Sequence, residues 1–283
     1  MTGSLRALKS SRRALFQIFL IAFGFIMIYP VLWMIASSFK PNTEIFGTAS
    51  LIPSQWHLEN YARGWKYIGK YTFTTFFANS FFYVALATIG TVFSSAVVAF
   101  GFSRIRFRGR TIWFACMFIT LILPYQVIMI PQFIIFQKLG WVNSFAPLIV
   151  PMFLGQPFFI FLMVQFIRGI PMELDESALI DGCRSFGIFT RIIFPLIIPA
   201  LITTTIFSVY WRWDDFLGPL LYLNKTALYT VSLALRLFAD PAESTDWGAI
   251  FAMGTLSLVP ILVVFVLFQR YLTEGITTTG LKV

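Results

Sequence analysis

Charge is scarce in this chain: of its 283 residues only 12% are Asp, Glu, Lys or Arg, against 58% hydrophobic and a mean hydropathy of +0.80. Soluble domains carry about a quarter charged residues, so water is excluded as the main solvent. Histidine occurs once, at His57, which excludes an ordinary multi-histidine metal site. The two cysteines share no motif, Cys116 lying in an apolar run and Cys183 in a polar stretch, so neither a disulfide nor a thiolate metal site is expected. Acidic residues are nearly missing from the apolar runs. Only Asp214 and Asp215, beside Arg212 at the end of one run, stand in or next to them, so the embedded ion relay of a secondary transporter, the main alternative class, is not visible. Metal clusters, activated nucleophiles and catalytic motifs are also lacking, which argues against a membrane enzyme.

What the chain does have is long apolar runs, at 14–36, 73–102, 111–134, 147–167, 196–216 and 248–268, bounded by charge, Gly or Pro. A helix of roughly 20 apolar residues crosses a ~30 Å hydrocarbon core and satisfies its own backbone polar groups there. The expected fold is an all-α membrane protein of six transmembrane helices. Arg6, Lys9, Arg12 and Arg13 precede the first run as in a signal peptide, but the run is too long for a signal h-region, so it is expected to be retained. Arg104, Arg106, Arg108 and Arg110 crowd one short turn, and the positive-inside bias puts that turn and both termini in the cytoplasm. The formal charge of +9 then reflects topology, since no basic helix or aromatic-rich motif points to nucleic acid. The expected organisation is a cytoplasmic segment at 1–13, a first helix with its outer connection at 14–72, and a core at 73–283 that carries a cytoplasmic loop at 168–195.

Within the second run Ala87, Thr91, Ser95 and Ala99 recur at every fourth position, placing a strip of small side chains on one helical face for close packing. Pro124 and Pro131 in the third run, and Pro151, Gly155 and Pro157 in the fourth, remove backbone hydrogen bonds and predict kinks or broken turns. The segment 64–71, G-W-K-Y-I-G-K-Y, is one residue short of a phosphate-cradling loop. Tyr71 stands where a hydroxyl would bind Mg²⁺ and no apolar strand precedes Gly64, so the match is accidental. With neither an ion relay nor a nucleotide loop, the energy for any transport must come from a partner chain.

The stretch 168–194 reads R-G-I-P-M-E-L-D-E-S-A-L-I-D-G-C-R-S-F-G-I-F-T-R-I-I-F. After Pro171, the acidic Glu173, Asp175 and Glu176 favour the positive end of a short helix that Gly182 can end. Leu174, Ala178 and Leu179 are expected on one side of it, with Glu176 and Asp181 free for charged contacts with a soluble partner. The stretch resembles the E-A-A-x3-G-x9-I-x-L-P motif of the membrane subunits of binding-protein-dependent ABC importers. Glu176, Ser177, Ala178, Gly182, Ile192 and Pro195 fall at its spacing, with Ser177 in place of alanine and Phe194 in place of leucine. Further likenesses are Ser38-Phe39-Lys40, Asn79-Ser80, Trp213-Asp214-Asp215-Phe216 with Pro219-Leu220, and the tail from Gln269-Arg270-Tyr271 to Gly280-Leu281-Lys282. Together they are similar to the carbohydrate-uptake subfamily, in particular to the smaller membrane subunit of the maltose importer.

The resemblance implies an ABC type I importer permease fold in the bacterial cytoplasmic (inner) membrane, surrounded by lipid. It implies as partners a second homologous permease subunit, two ATPase subunits, an extracytoplasmic solute-binding protein and an oligosaccharide substrate. It implies no cofactor on this chain, ATP and Mg being bound by the ATPase subunits. Glu176, Ser177, Ala178, Asp181 and Gly182 would form the coupling surface for an ATPase subunit. Asp240, Pro241, Ala242, Glu243 and Ser244 would reach the binding protein, although with Asp246 they also read as an ordinary solvated turn. Arg212 departs from the small or hydroxylated residue expected beside Trp213. It either pairs with Asp214 or Asp215 or presents a cation to an acidic sugar of the uronic-acid type.

Overall fold

The structure, a computed structural model, describes residues 2–48, 50–66, 70–237 and 245–277. Among the described residues four helical segments are long and apolar enough to cross a membrane, and six if each of two bent pairs is taken as one span. The four are Leu15–Ser37, Phe73–Arg104, Ala146–Arg168 and Trp247–Gln269. The other two are bent pairs. Arg110–Ile122 and Tyr125–Lys138 meet at 103°, and Ser185–Leu196 and Ile198–Trp213 at 73°. The third expected span is therefore not one helix. Leu123 takes an extended backbone because Pro124 follows it and disfavours the helical region at the preceding residue. Pro131, by contrast, is accommodated inside the second helix of that pair.

The chain divides into two compact units, 70–234 with 258–283, and 1–69 with 235–257. In the first, the Phe73–Arg104 helix is the central element. Ala87, Thr91, Ser95 and Ala99 are all fully buried, so the four-residue strip does bring backbones close together. At Gly90 on the same helix an added Cβ would lie 2.5 Å from the Phe153 ring. The Ser94 hydroxyl donates to the Met152 carbonyl at 3.0 Å, and the Ser95 hydroxyl accepts from the Gln156 amide at 3.3 Å. These side-chain bonds serve backbone groups freed where the fourth span breaks into a helix at Ala146–Ile149, a 3₁₀ turn at Val150–Leu154 and a helix at Pro157–Arg168. Gly155 sits at the break with φ +91°, a conformation that glycine reaches without a Cβ penalty. Further along the central helix, Asn79 donates from Nδ2 to the carbonyls of Ala227 and Tyr229 at 2.8 and 3.0 Å, and the Ser80 hydroxyl accepts from the Val231 amide at 2.8 Å. The pair thus ties down the turn that opens the Val231–Leu237 helix.

The other unit is organised by polar contacts. Asn60, fully buried on the Glu59–Lys66 helix, donates from Nδ2 to the carbonyls of Ser38 and Lys40, each at 2.9 Å. The Ser38 hydroxyl meets Tyr61 Oη at 2.8 Å, and the Lys40 ammonium, with no exposed surface, donates to the Ser50 carbonyl. The Ser38-Phe39-Lys40 segment is thereby fixed after the first helix. Gly64 lies in a helix, and a Cβ there would meet the Met253 side chain at 2.8 Å, so this glycine serves packing. In the first span, none of residues 15–36 is buried.

Candidate functional site

The 168–195 stretch contains the expected short helix, at Glu173–Ile180. The Met172 carbonyl accepts from the amides of Asp175 and Glu176 at 2.9 and 3.1 Å, and three acidic residues occupy the first turn, where the helix dipole favours them. At the far end the Cys183 amide donates to the Ala178 carbonyl at 2.9 Å and the Gly182 amide to Leu179 at 3.1 Å, a Schellman closure. Gly182 has φ +80°, the left-handed conformation that this closure needs.

The faces of that helix differ from the expected ones. Asp175 and Ala178, three residues apart, turn inward and are buried, whereas Leu174 and Leu179 are 44% and 57% exposed. The reason is an ion pair. Arg104, the last residue of the central helix, places Nε 2.8 Å from Asp175 Oδ2, with both side chains more than nine-tenths buried. Arg104 Nη2 also donates to the Ile170 carbonyl at 2.7 Å, so one guanidinium holds both the approach to the helix and its first turn. In the sequence Arg104 marks topology and Asp175 the start of a helix, and neither points to the other. The one available signal was that Asp175 shares a face with Ala178. With Asp175 turned inward, Leu174, Glu176, Leu179, Ile180 and Asp181 all lie on exposed surface.

Beyond Gly182 the chain is helical again from Ser185, through a π turn at Phe189–Ile193, to Leu196, so little of 168–195 is loop. Ile188, Phe189 and Ile193 enter the core cluster around Met163 and Ile167. The conformation ending at Ile197 and the following Pro199 make the 73° bend into the Ile198–Trp213 helix.

A second constellation surrounds a cavity of 330 Å³ within the 70–234 unit, lined among others by Tyr83, Tyr125, Gln132, Gln156, Trp211, Arg212 and Asp215. The breaks in the third and fourth spans place Tyr125, Pro151, Met152 and Gln156 on its wall. Asp215 Oδ2 accepts from the Tyr83 hydroxyl at 2.7 Å, and Oδ1 from the Gly218 amide at 3.0 Å. Arg212 turns its Nη2 to the Met152 sulfur. Among the described residues it forms no salt bridge with Asp214 or Asp215, and Asp214 is exposed at the end of its helix. Asp240, Pro241, Ala242, Glu243 and Ser244 lie outside the described residues. The nearby Asp246 is 3.4 Å from Arg63 Nε.

The model of the family described as the inner membrane component of binding-protein-dependent transport systems matches residues 90–278, well over half of the chain. The chain belongs to that family. As an inner membrane component it is a transport protein with a multi-pass helical fold. It is 36% identical over 266 residues to the probable ABC transporter permease protein YurM of Bacillus subtilis, covering 94% of this chain and 87% of the relative. It is 31% identical to the arabinooligosaccharides transport system permease protein AraQ of Halalkalibacterium halodurans, covering 92% of each. To the trehalose/maltose transport system permease protein MalG of Thermococcus litoralis it is 30% identical, covering 96% of this chain and 97% of the relative. In fold this inner membrane component is similar to a chain of a bacterial ABC transporter involved in the import of the acidic polysaccharide alginate. The TM-score is 0.81, with 20% identity and coverage of 91% and 95% of the two chains. The family match takes in the Glu173–Ile180 helix and most of the residues around the cavity.

Proposed function

We propose that this inner membrane component forms half of the translocation path for an oligosaccharide and takes its driving energy from ATPase subunits through the Glu173–Ile180 helix. Its relatives are transport permeases whose names include arabinooligosaccharides, trehalose and maltose. The observation that carries the reading is the outward face of that helix, where exposed Glu176 and Asp181 stand beside Leu179 and Ile180, the latter 87% exposed, on a scaffold fixed by the buried Arg104–Asp175 pair. Bare apolar side chains rimmed by charge suit a soluble partner's cleft. The proposed assembly comprises a second homologous permease, two ATPase subunits that hold ATP and Mg, and an extracytoplasmic binding protein. On this reading the helix faces the cytoplasm, and nucleotide-driven closure of the ATPases moves it. Arg104 passes the movement to the central helix, and the Ser185–Leu196 helix passes it to the fifth span.

Glu176→Lys is expected to lower ATP-dependent uptake by about tenfold or more while the ATPase subunits keep hydrolysing, because a reversed charge at an interface costs several kcal/mol. Uptake and hydrolysis are measured together on the reconstituted assembly. Undiminished uptake at normal expression would remove Glu176 from the coupling surface. For Asp240, Pro241, Ala242, Glu243 and Ser244 the proposal is contact with the binding protein. Deleting these five residues should leave assembly intact and reduce delivery of cargo several-fold, as a lost rim contact does. Uptake equal to that of the full chain would leave them an ordinary turn.

A further inference from the structure

In the cavity beside Arg212 the two charged side chains, one of each sign, are hydrogen-bonded unequally. Both oxygens of the Asp215 carboxylate are already engaged, Oδ2 by the Tyr83 hydroxyl and Oδ1 by the Gly218 amide. The guanidinium of Arg212 is served less fully, by the same Tyr83 hydroxyl and by the Met152 thioether. The thioether is a weak acceptor, and Arg212 Nε is buried with no acceptor among the described residues. A guanidinium has five donors in a planar fork, and withdrawing it from water without a matching acceptor is unfavourable. Both Asp215 oxygens thus have donors, while Arg212, on the wall of the same space, keeps a donor with no acceptor. Tyr125, Gln132 and Gln156 supply further hydrogen-bonding side chains on the wall, and Trp211 adds an aromatic surface. At 330 Å³ the space falls at the lower end of small-molecule sites.

We infer that this cavity is a solute site on the chain and that Arg212 takes the carboxylate of an acidic sugar residue, while the tyrosine, glutamine and tryptophan side chains contact its hydroxyls and ring. This rests on the reading of the chain as an oligosaccharide permease and narrows the cargo to uronic-acid type. A carboxylate matches the guanidinium with two parallel charge-assisted bonds, which a neutral hydroxyl pair cannot equal. Asp215, held by Tyr83 and Gly218, disfavours a second acidic group on its own side and so gives the sugar a direction in the cavity.

The test uses the full assembly with its binding protein and ATPase subunits in liposomes. The probes are uronic trisaccharides of galacturonate, glucuronate and mannuronate, each paired with its carboxyl-reduced neutral counterpart. Uptake of at least one acidic probe over its neutral counterpart is expected. Arg212→Gln should lower that uptake by about tenfold to a hundredfold, the range for a lost hydrogen bond to a charged group. Arg212→Lys should retain an intermediate preference, because it keeps the charge and loses the fork. Gel filtration of each variant assembly, with its basal ATP hydrolysis, separates a binding defect from a failure to assemble. Uptake of neutral trisaccharides in preference to acidic ones, or an acid preference untouched in Arg212→Gln, would overturn the inference and leave the sugar-importer reading standing. Absence of ATP-dependent uptake of every sugar by the unaltered assembly would overturn both.

Discussion

Arg104→Met is expected to destabilise the protein by about 3–5 kcal/mol, since it leaves the Asp175 carboxylate buried without its cation. Asp175 has only 8% of its side chain exposed, so water cannot readily replace the lost partner. The same substitution frees the Ile170 carbonyl and so loosens both sides of the turn before the Glu173–Ile180 helix. The double variant Arg104→Met with Asp175→Leu removes both charges and should recover most of the loss, as replacement of a buried ion pair by apolar residues often does. Denaturant unfolding of the purified protein in detergent measures the cycle. Additive losses in the double variant would show that the two residues are not coupled. Function should separate from stability here. If the guanidinium transmits movement of the Glu173–Ile180 helix, the stable double variant hydrolyses ATP in the assembly but transports several-fold less per ATP consumed.

Gly248→Ala is the second large effect expected, with a cost of about 2–4 kcal/mol from overpacking together with disturbed hydrogen bonds. A Cβ at Gly248 would lie 2.6 to 2.8 Å from three atoms of the Asn60 side-chain amide. That amide cannot swing aside freely. It is fully buried, bonds the carbonyls of Ser38 and Lys40, and accepts from Arg63 Nη2 at 2.6 Å. The Gly248 amide also donates to Asn42 Oδ1 at 2.8 Å, which fixes the glycine itself. Gly24 provides the control, because a Cβ there has nothing within 4 Å and Gly24→Ala should change stability by less than about 0.5 kcal/mol. Unfolding midpoints compared under one condition decide the matter. Equal midpoints for Gly248→Ala and the unaltered chain would mean that Asn60 has room to move.

Hydropathy located the four long apolar segments and both bent pairs because burial in lipid needs only length and apolarity, both of which are written locally. The bend at Leu123–Pro124 was legible as a kink, but its size of 103° depends on what the two flanking helices pack against, and no window of sequence contains that. Asn79 and Ser80 could be noticed as a motif. Their work, bonding backbone groups at 227–231, spans about 150 residues of chain and had no local signal. The Glu173–Ile180 helix was readable from its acidic first turn and Gly182, since caps are local physics. Its facing was misread for the opposite reason. An amphipathic rule turns leucines inward, and here a single long-range ion pair turned Asp175 inward instead and left Leu174 and Leu179 outside. The cavity was readable only through Arg212, as a charge out of place, while Tyr83, Gln132 and Gln156 came into view once the broken spans were folded.

The first span, unburied from residue 15 to residue 36, carries a different kind of constraint from the rest of the chain. From residue 15 to residue 31 every side chain is exposed, so their shapes there are not fitted to a cavity and no large-to-small exchange opens one. What matters is the thickness of hydrocarbon that the segment matches and where its polar ends meet the headgroups. Sequences that scramble its Leu, Ile and Phe while keeping its length therefore encode the same anchor. Divergence along this helix can record the bilayer in which the protein lives, whereas divergence along the central helix records its fold.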